Sequence, residues 1–214
     1  MRTRKVNNFR LFYRSIHPSE FANIAITGQG LIWGRGLYTY DKPEIKGSGN
    51  KAISLKNCHN VTVQDISILH GGHFYILATG VDNLIIDNVR ADADRDAFDI
   101  DCCRNVALSN CLFERSRGIC IETADRGAIE DITLSNITMR DVPDMPFFIR
   151  LNARLRGPEG TPVGVCRRIT ISHFNAYDVG GRVKFPELGA AMVMGIPGHS
   201  IEDLTLSRVK DKKL

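Results

Sequence analysis

The residues with the clearest chemical capacity are the aspartates Asp92, Asp94, Asp96, Asp99 and Asp101. In an extended chain the side chains alternate, so Asp99 and Asp101 share one face while Phe98 and Ile100 take the other. Carboxylates crowded on one face raise each other's proton affinity, which suits acid–base work or cation binding. A solvated turn edged by an aspartate ladder fits the same spacing equally well. A helix–loop–helix calcium loop is excluded, because its sixth position would be Ala97 rather than Gly and its twelfth Cys103 rather than Glu. A second cluster is His70-Gly71-Gly72-His73-Phe74, in which the glycines permit a tight corner. Stacking of successive segments would carry His73 toward Asp96, although a corner histidine that only makes hydrogen bonds would read the same. The third is Arg150, Arg154 and Arg156, which lead into the turn-forming run Gly157-Pro158-Glu159-Gly160-Thr161-Pro162. Guanidinium groups in a cleft pair bidentately with a carboxylate ligand, whereas solvated surface arginines have the same pattern.

Positioning these groups falls to a recurring phrase: a polar residue, an aliphatic, any residue, an aliphatic, then one or two small polar residues. It occurs as Asn23-Ile24-Ala25-Ile26, Asn60-Val61-Thr62-Val63, Asn83-Leu84-Ile85-Ile86 and Asn105-Val106-Ala107-Leu108. It returns as Asp131-Ile132-Thr133-Leu134, Arg168-Ile169-Thr170-Ile171 and Asp203-Leu204-Thr205-Leu206. The starts at 60, 83 and 105 lie 23 and 22 residues apart, and the longer steps leave room for excursions. Such a period marks a solenoid, in which each repeat buries its face only against its neighbours. Alternation of apolar residues between Asn, Asp and Gly marks strands. A second strand precedes each phrase, at 51–57, 73–79, 96–101, 118–123 and 147–152. No long apolar stripe of helical period is present. The fold expected is all-β, a right-handed parallel β-helix, forming a single domain over residues 1–214 with an irregular lead-in at 1–18.

The cysteines agree with this register. Cys58, Cys103 and Cys166 each stand two residues before a phrase, and Cys111 takes the position held elsewhere by Ile66, Val89, Ile137, Phe174 and Val209. The six cysteines contain no Cys-x-x-Cys pair and read as buried small hydrophobes, so no metal and no cofactor is expected. Composition is that of one globular unit with a real core, 43% hydrophobic and 24% charged. The net charge of +4 is mild, and neither a basic block nor stacked aromatics suggests a nucleic-acid partner. No apolar run is long enough to span a membrane. The basic N-terminus lacks the apolar stretch of a signal peptide. No cap for the solenoid is evident at either end, as in a fragment, although Phe9, Leu11, Phe12 and Ile16 are placed to lie over the first coil.

From Gly49-Asn50-Lys51 through His70-Gly71-Gly72-His73-Phe74 to Arg95-Asp96-Ala97-Phe98-Asp99-Ile100-Asp101, the sequence resembles glycoside hydrolase family 28, the polygalacturonases and their relatives. Arg117-Gly118, Glu122-Thr123, Asn136 to Val142, Arg156 to Gly164 and Gly195-Ile196-Pro197-Gly198-His199 extend the resemblance over most of residues 18–209. It implies a right-handed parallel β-helix that hydrolyses galacturonan or related glycosides with inversion, in which an acid and a base stand about 6.5–9.5 Å apart around a water. Asp96 matches the family's water-activating aspartate, and Asp99 is the second catalytic candidate. His73, Arg95, Arg150, Arg154 and Arg156 are the candidate substrate-binding groups. The implied partner is a plant-type acidic polysaccharide or oligogalacturonide, bound by a monomer. Family members are usually secreted or periplasmic, which leaves the compartment open here.

The family's Asp-Asp pair and Gly-His-Gly turn are absent, and the chain reads on from Cys111 into a later coil. The resemblance thus implies an internal loss of coils between Asn110 and Phe113, and a missing first coil. Gly181-Arg182-Val183-Lys184-Phe185 is similar to the family's Arg-x-Lys strand but stands on the wrong side of the 156–162 loop. Loss of a general acid costs roughly 10²–10⁴-fold in rate, so little or no hydrolysis is expected unless Glu114 or Glu122 serves instead. Whether the chain is an enzyme stays open: the alternatives are a non-catalytic carbohydrate-binding β-helix and a calcium-dependent polysaccharide lyase.

Overall fold

The polar residue that opens each phrase lies in the left-handed region of backbone space: Asn23, Asn60, Asn83, Asn105, Asp131, Arg168 and Asp203 all have φ between 51 and 60°. Asn and Asp tolerate that conformation best among residues with a side chain. There they bend the strand and turn their side chains to one another along the stack. Asn60 donates to Asn23 at 3.1 Å, Asn83 to Asn60 at 2.8 Å and Asn105 to Asn83 at 3.1 Å. Arg168 stands where Asn is the rule, and its guanidinium is held by both oxygens of Asp131 at 2.7 and 2.9 Å. The repeated Asn is thus a corner and a rung of a polar ladder.

The computed structural model describes residues 21–37, 49–92, 95–180 and 191–212. The lead-in 1–18 and the Arg182–Lys184 segment lie outside the described residues. One parallel sheet contains β3 (Lys51–Lys56), β6 (Phe74–Thr79), β9 (Asp96–Asp101), β12 (Ile119–Ala124), β14 (Phe147–Asn152) and β16 (Met192–Met194), stacked in that order. The second sheet stacks β1 (Ala22–Thr27), β4 (His59–Gln64), β7 (Asp82–Asp87), β10 (Arg104–Ser109), β13 (Ala128–Arg140), β15 (Val165–Tyr177) and β17 (Glu202–Lys212). A third wall begins as short strands: β2 (Leu31–Trp33), β5 (Ser67–Leu69), β8 (Arg90–Asp92) and β11 (Leu112–Glu114). From β13 onward this wall is the second half of the long strands, because β11 pairs with Thr138–Arg140. Among the described residues all strand pairs are parallel, and the fold is the right-handed parallel β-helix expected. The sequence showed two strands per coil; the three-residue third strands are too short for alternation to be read.

The core is a set of side-chain columns. The register His59–Asp82–Arg104–Glu130–Arg167 places Cys58, Val81, Cys103, Ile129 and Cys166 in one buried column, so the cysteines share a slot but are separated by aliphatic rungs. Cys111 lies in the column of Val89, Ile137 and Phe174. None of the six cysteines is in a disulfide, and burial pushes the Cys103, Cys111 and Cys166 thiols up to about 12. Inside, Phe98 meets Phe113 edge-on at 4.8 Å and Phe147 meets Phe174 at 5.3 Å, joining the first sheet to the third wall.

No break interrupts the stack near Asn110. Its side chain donates to Asp87 at 2.7 Å and accepts from Asn136 at 2.7 Å. At the far end Leu206 and Val209, in register with the buried Ile171 and Phe174, are 47% and 36% exposed.

Candidate active site

The candidate residues gather on the outer face of the first sheet. In β9 two buried residues in succession, Ala97 and Phe98, break strict alternation, so Asp96 precedes the core residues and Asp99 follows them on the outside. The backbone permits this because Ala97 donates to the carbonyl of Gly118 at 3.0 Å. Gly118 itself has φ 105°, and a Cβ there would stand 2.1 Å from the carbonyl oxygen of Met145. Three outward columns result. Lys51, Phe74 and Asp96 form one. Leu77, Asp99, Cys120 and Phe148 form the next, and Thr79, Asp101, Glu122 and Arg150 the third. Adjacent rungs are separated by about 4.8 Å.

Burial sets the electrostatics. It raises Asp96 to about 6, against the opposing pull of Arg95 and Arg117. It raises Asp99 to about 7; the Cys120 thiol, which donates a hydrogen bond to Asp99, works against this, while Glu122, Asp96 and Asp101 add to it. Asp101 is also raised, chiefly by burial. His73 is buried and falls to about 4, through desolvation and the charges of Arg95, Lys51 and Arg117. Lys51 is lowered by burial; its ammonium donates to Asn50 at 2.6 Å and lies 5.6 Å from the centre of the Phe74 ring. At neutral pH Asp99 is therefore near half protonation and Asp96 mostly ionised, while His73 is a neutral imidazole among cations.

The candidates from sequence divide accordingly. Asp96, Asp99 and Asp101 come together, but the wider aspartate cluster does not: Asp92 lies on the third wall, paired with Arg115, and Asp94 lies outside the described residues. His73 reaches the Asp96 coil through its backbone, its carbonyl accepting from Asp96 N at 3.2 Å. The Arg95 guanidinium lies 3.6 Å from Asp96 and over the Phe74 ring. Arg154 pairs with Glu122, and Arg150 is the register partner of Glu122. Arg156 is exposed and is anchored by its backbone N–H to Asp125 at 2.8 Å, where the neighbouring Leu155 N–H also binds. Glu114, weighed as a substitute acid, is exposed on the third wall beside Asp92 and Arg140. Glu122 belongs to the face, but Arg154 occupies its carboxylate. Cys120, Lys51 and Arg117 were not among the expected site residues. The strand register that places Cys120 beside Asp99 could have revealed the first.

The family model for the right-handed β-helix region matches residues 8–142. The chain belongs to this family. Among solved structures, this β-helix is similar to a hyperthermoactive exopolygalacturonase from Thermotoga maritima, with 15% identity and a TM-score of 0.48 over 98% of this chain and 73% of that one. It is also similar to the polygalacturonase of Erwinia carotovora, with 14% identity and a TM-score of 0.44 over 92% of this chain and 73% of that one. No curated protein matches the chain significantly.

Proposed function

We propose that the outer face of the first sheet binds an acidic, uronate-containing glycan and hydrolyses it slowly with inversion, as a degenerate polygalacturonase-like glycosidase. The observation that carries this reading is the pair Asp96 and Asp99, whose proton affinities burial raises to about 6 and about 7. Three residues of extended chain put their Cα atoms roughly 10 Å apart, room enough for a glycosidic bond and a water between the carboxyls of an inverting pair. Asp99, the more readily protonated, serves as the acid toward the leaving oxygen. Asp96, ionised above about pH 6, accepts the proton of the attacking water. Arg95, Arg150 and Arg154 supply cations for the uronate carboxylates.

Slow turnover follows from the same geometry. Asp99 is only 7% exposed and presents little of its carboxyl to a ligand, while Arg95 and Arg154 already neutralise Asp96 and Glu122. That prior pairing favours a second reading, glycan binding without cleavage. The two are separated by incubating the protein with polygalacturonate. New reducing ends without ultraviolet-absorbing unsaturated ends support hydrolysis; binding without either supports the second reading; unsaturated ends indicate a lyase and overturn both.

A further inference from the structure

We propose that Asp99, Cys120 and Glu122 form a binding site for a thiophilic divalent cation of the zinc class on the outer face of the first sheet. The three come together by register alone: Cys120 faces Asp99 across the β9–β12 pair, and Glu122 follows Cys120 by two residues on the same strand. One donor atom from each lies within 4.8 Å of the others. A second observation points to a ligand. Asp99 is 93% buried by its 7% exposure, yet its Oδ1 is a buried oxygen that accepts no hydrogen bond. Leaving such an acceptor unmet is unfavourable, and an inner-sphere cation removes that cost.

The donor set selects the ion. One sulfur and two carboxylate oxygens suit a tetrahedral ion with Zn–S near 2.3 Å and Zn–O near 2.1 Å, a water completing the shell. Drawing the three donors onto such an ion requires each side chain to move by roughly an ångström, within reach of rotation about side-chain bonds. A thiol donor disfavours calcium and magnesium, which take oxygen ligands. On binding, the Cys120 thiol loses its proton to solvent and its sulfur lone pair forms the metal bond; no oxidation state changes. Arg154 competes for the site, because its guanidinium holds the Glu122 carboxylate the ion would use. The ion and a proton also compete for Asp99, so bound metal would suppress any acid catalysis there. The site itself stands whether or not the face cleaves a glycan.

The test titrates the metal-free full chain with Cd2+, whose bond to a thiolate gives a charge-transfer absorption in the ultraviolet, and with Zn2+ by calorimetry. One equivalent of Cd2+ should produce the band, and Zn2+ should compete for it. Cys120→Ser should abolish the band while Cys102→Ser, which removes the one incompletely buried thiol, leaves it. Arg154→Met should tighten Zn2+ binding at least threefold, and Glu122→Gln should weaken it at least tenfold. If Cys120→Ser does not fold, the opposed shifts of the Arg154 and Glu122 variants decide the matter. No saturable band, a band that survives Cys120→Ser, or calcium binding as tight as zinc would overturn the site.

Discussion

The acidity of the site is set by water exclusion more than by the count of carboxylates. Folded Asp96 and Asp99 bind protons near 6 and 7 against 3.8 for free carboxyls, so their contribution to stability is complete below about pH 4 and is lost as pH rises through 6 and 7. His73 acts in the opposite sense: held near 4 from 6.5, it contributes above 6.5 and loses that contribution as pH falls toward 4. Two carboxyls outweigh one imidazole, so in a chelating buffer the melting temperature should rise as pH falls from 8 to 5. Asp99→Asn should stabilise the protein by about 1–2 kcal/mol at pH 8, a rise of roughly 2–8 °C, and flatten the profile. Thermal melts across this range check both, and a melting temperature that falls toward pH 5 would count against the assignment. The sequence already showed Asp99 and Asp101 on a face opposite Phe98. It could not show how deeply Asp99 is buried, because that depends on the coils stacked on either side of it, which bring Leu77 and Cys120 alongside.

At the level of elements, the corner asparagines specify the stack. Asn83 has φ 60° and both donates to Asn60 and accepts from Asn105. Asn83→Ala removes these bonds and strains the backbone, and should cost about 1–2 kcal/mol. Asn83→Gly loses the bonds but accepts the positive φ, and should cost about half as much. Denaturant unfolding gives the ranking; an Ala variant no worse than the Gly variant would show that the left-handed corner is not what the asparagine provides. These corners were legible as the first residue of each phrase, and five of the second-strand intervals were legible within a residue or two. The expected strand at 96–101 coincides with β9. The short third strands were not legible, since they owe their extended form to pairing with Thr138–Arg140 and its counterparts rather than to their own pattern.

For the whole molecule, stability is a sum over rungs, so one substitution should have different costs along a single column. Ile171 is fully buried between neighbouring coils, whereas its register partner Leu206 is 47% exposed. Ile171→Ala should cost about 2–4 kcal/mol and Leu206→Ala less than about 1; equal costs would mean that Leu206 is covered in solution. The same architecture keeps the carboxylate face in register from coil to coil. Similar rungs stack wherever the corners match, as Asn110 does with Asp87 and Asn136. The most direct test of the central claim is reducing-end release from polygalacturonate by the wild-type chain and by Asp96→Asn, with glycan binding measured in parallel. Slow release by the wild type, lost in the variant while binding persists, is the predicted result. Unchanged release in Asp96→Asn, or a wild-type chain that neither binds nor cleaves the polymer, would contradict it.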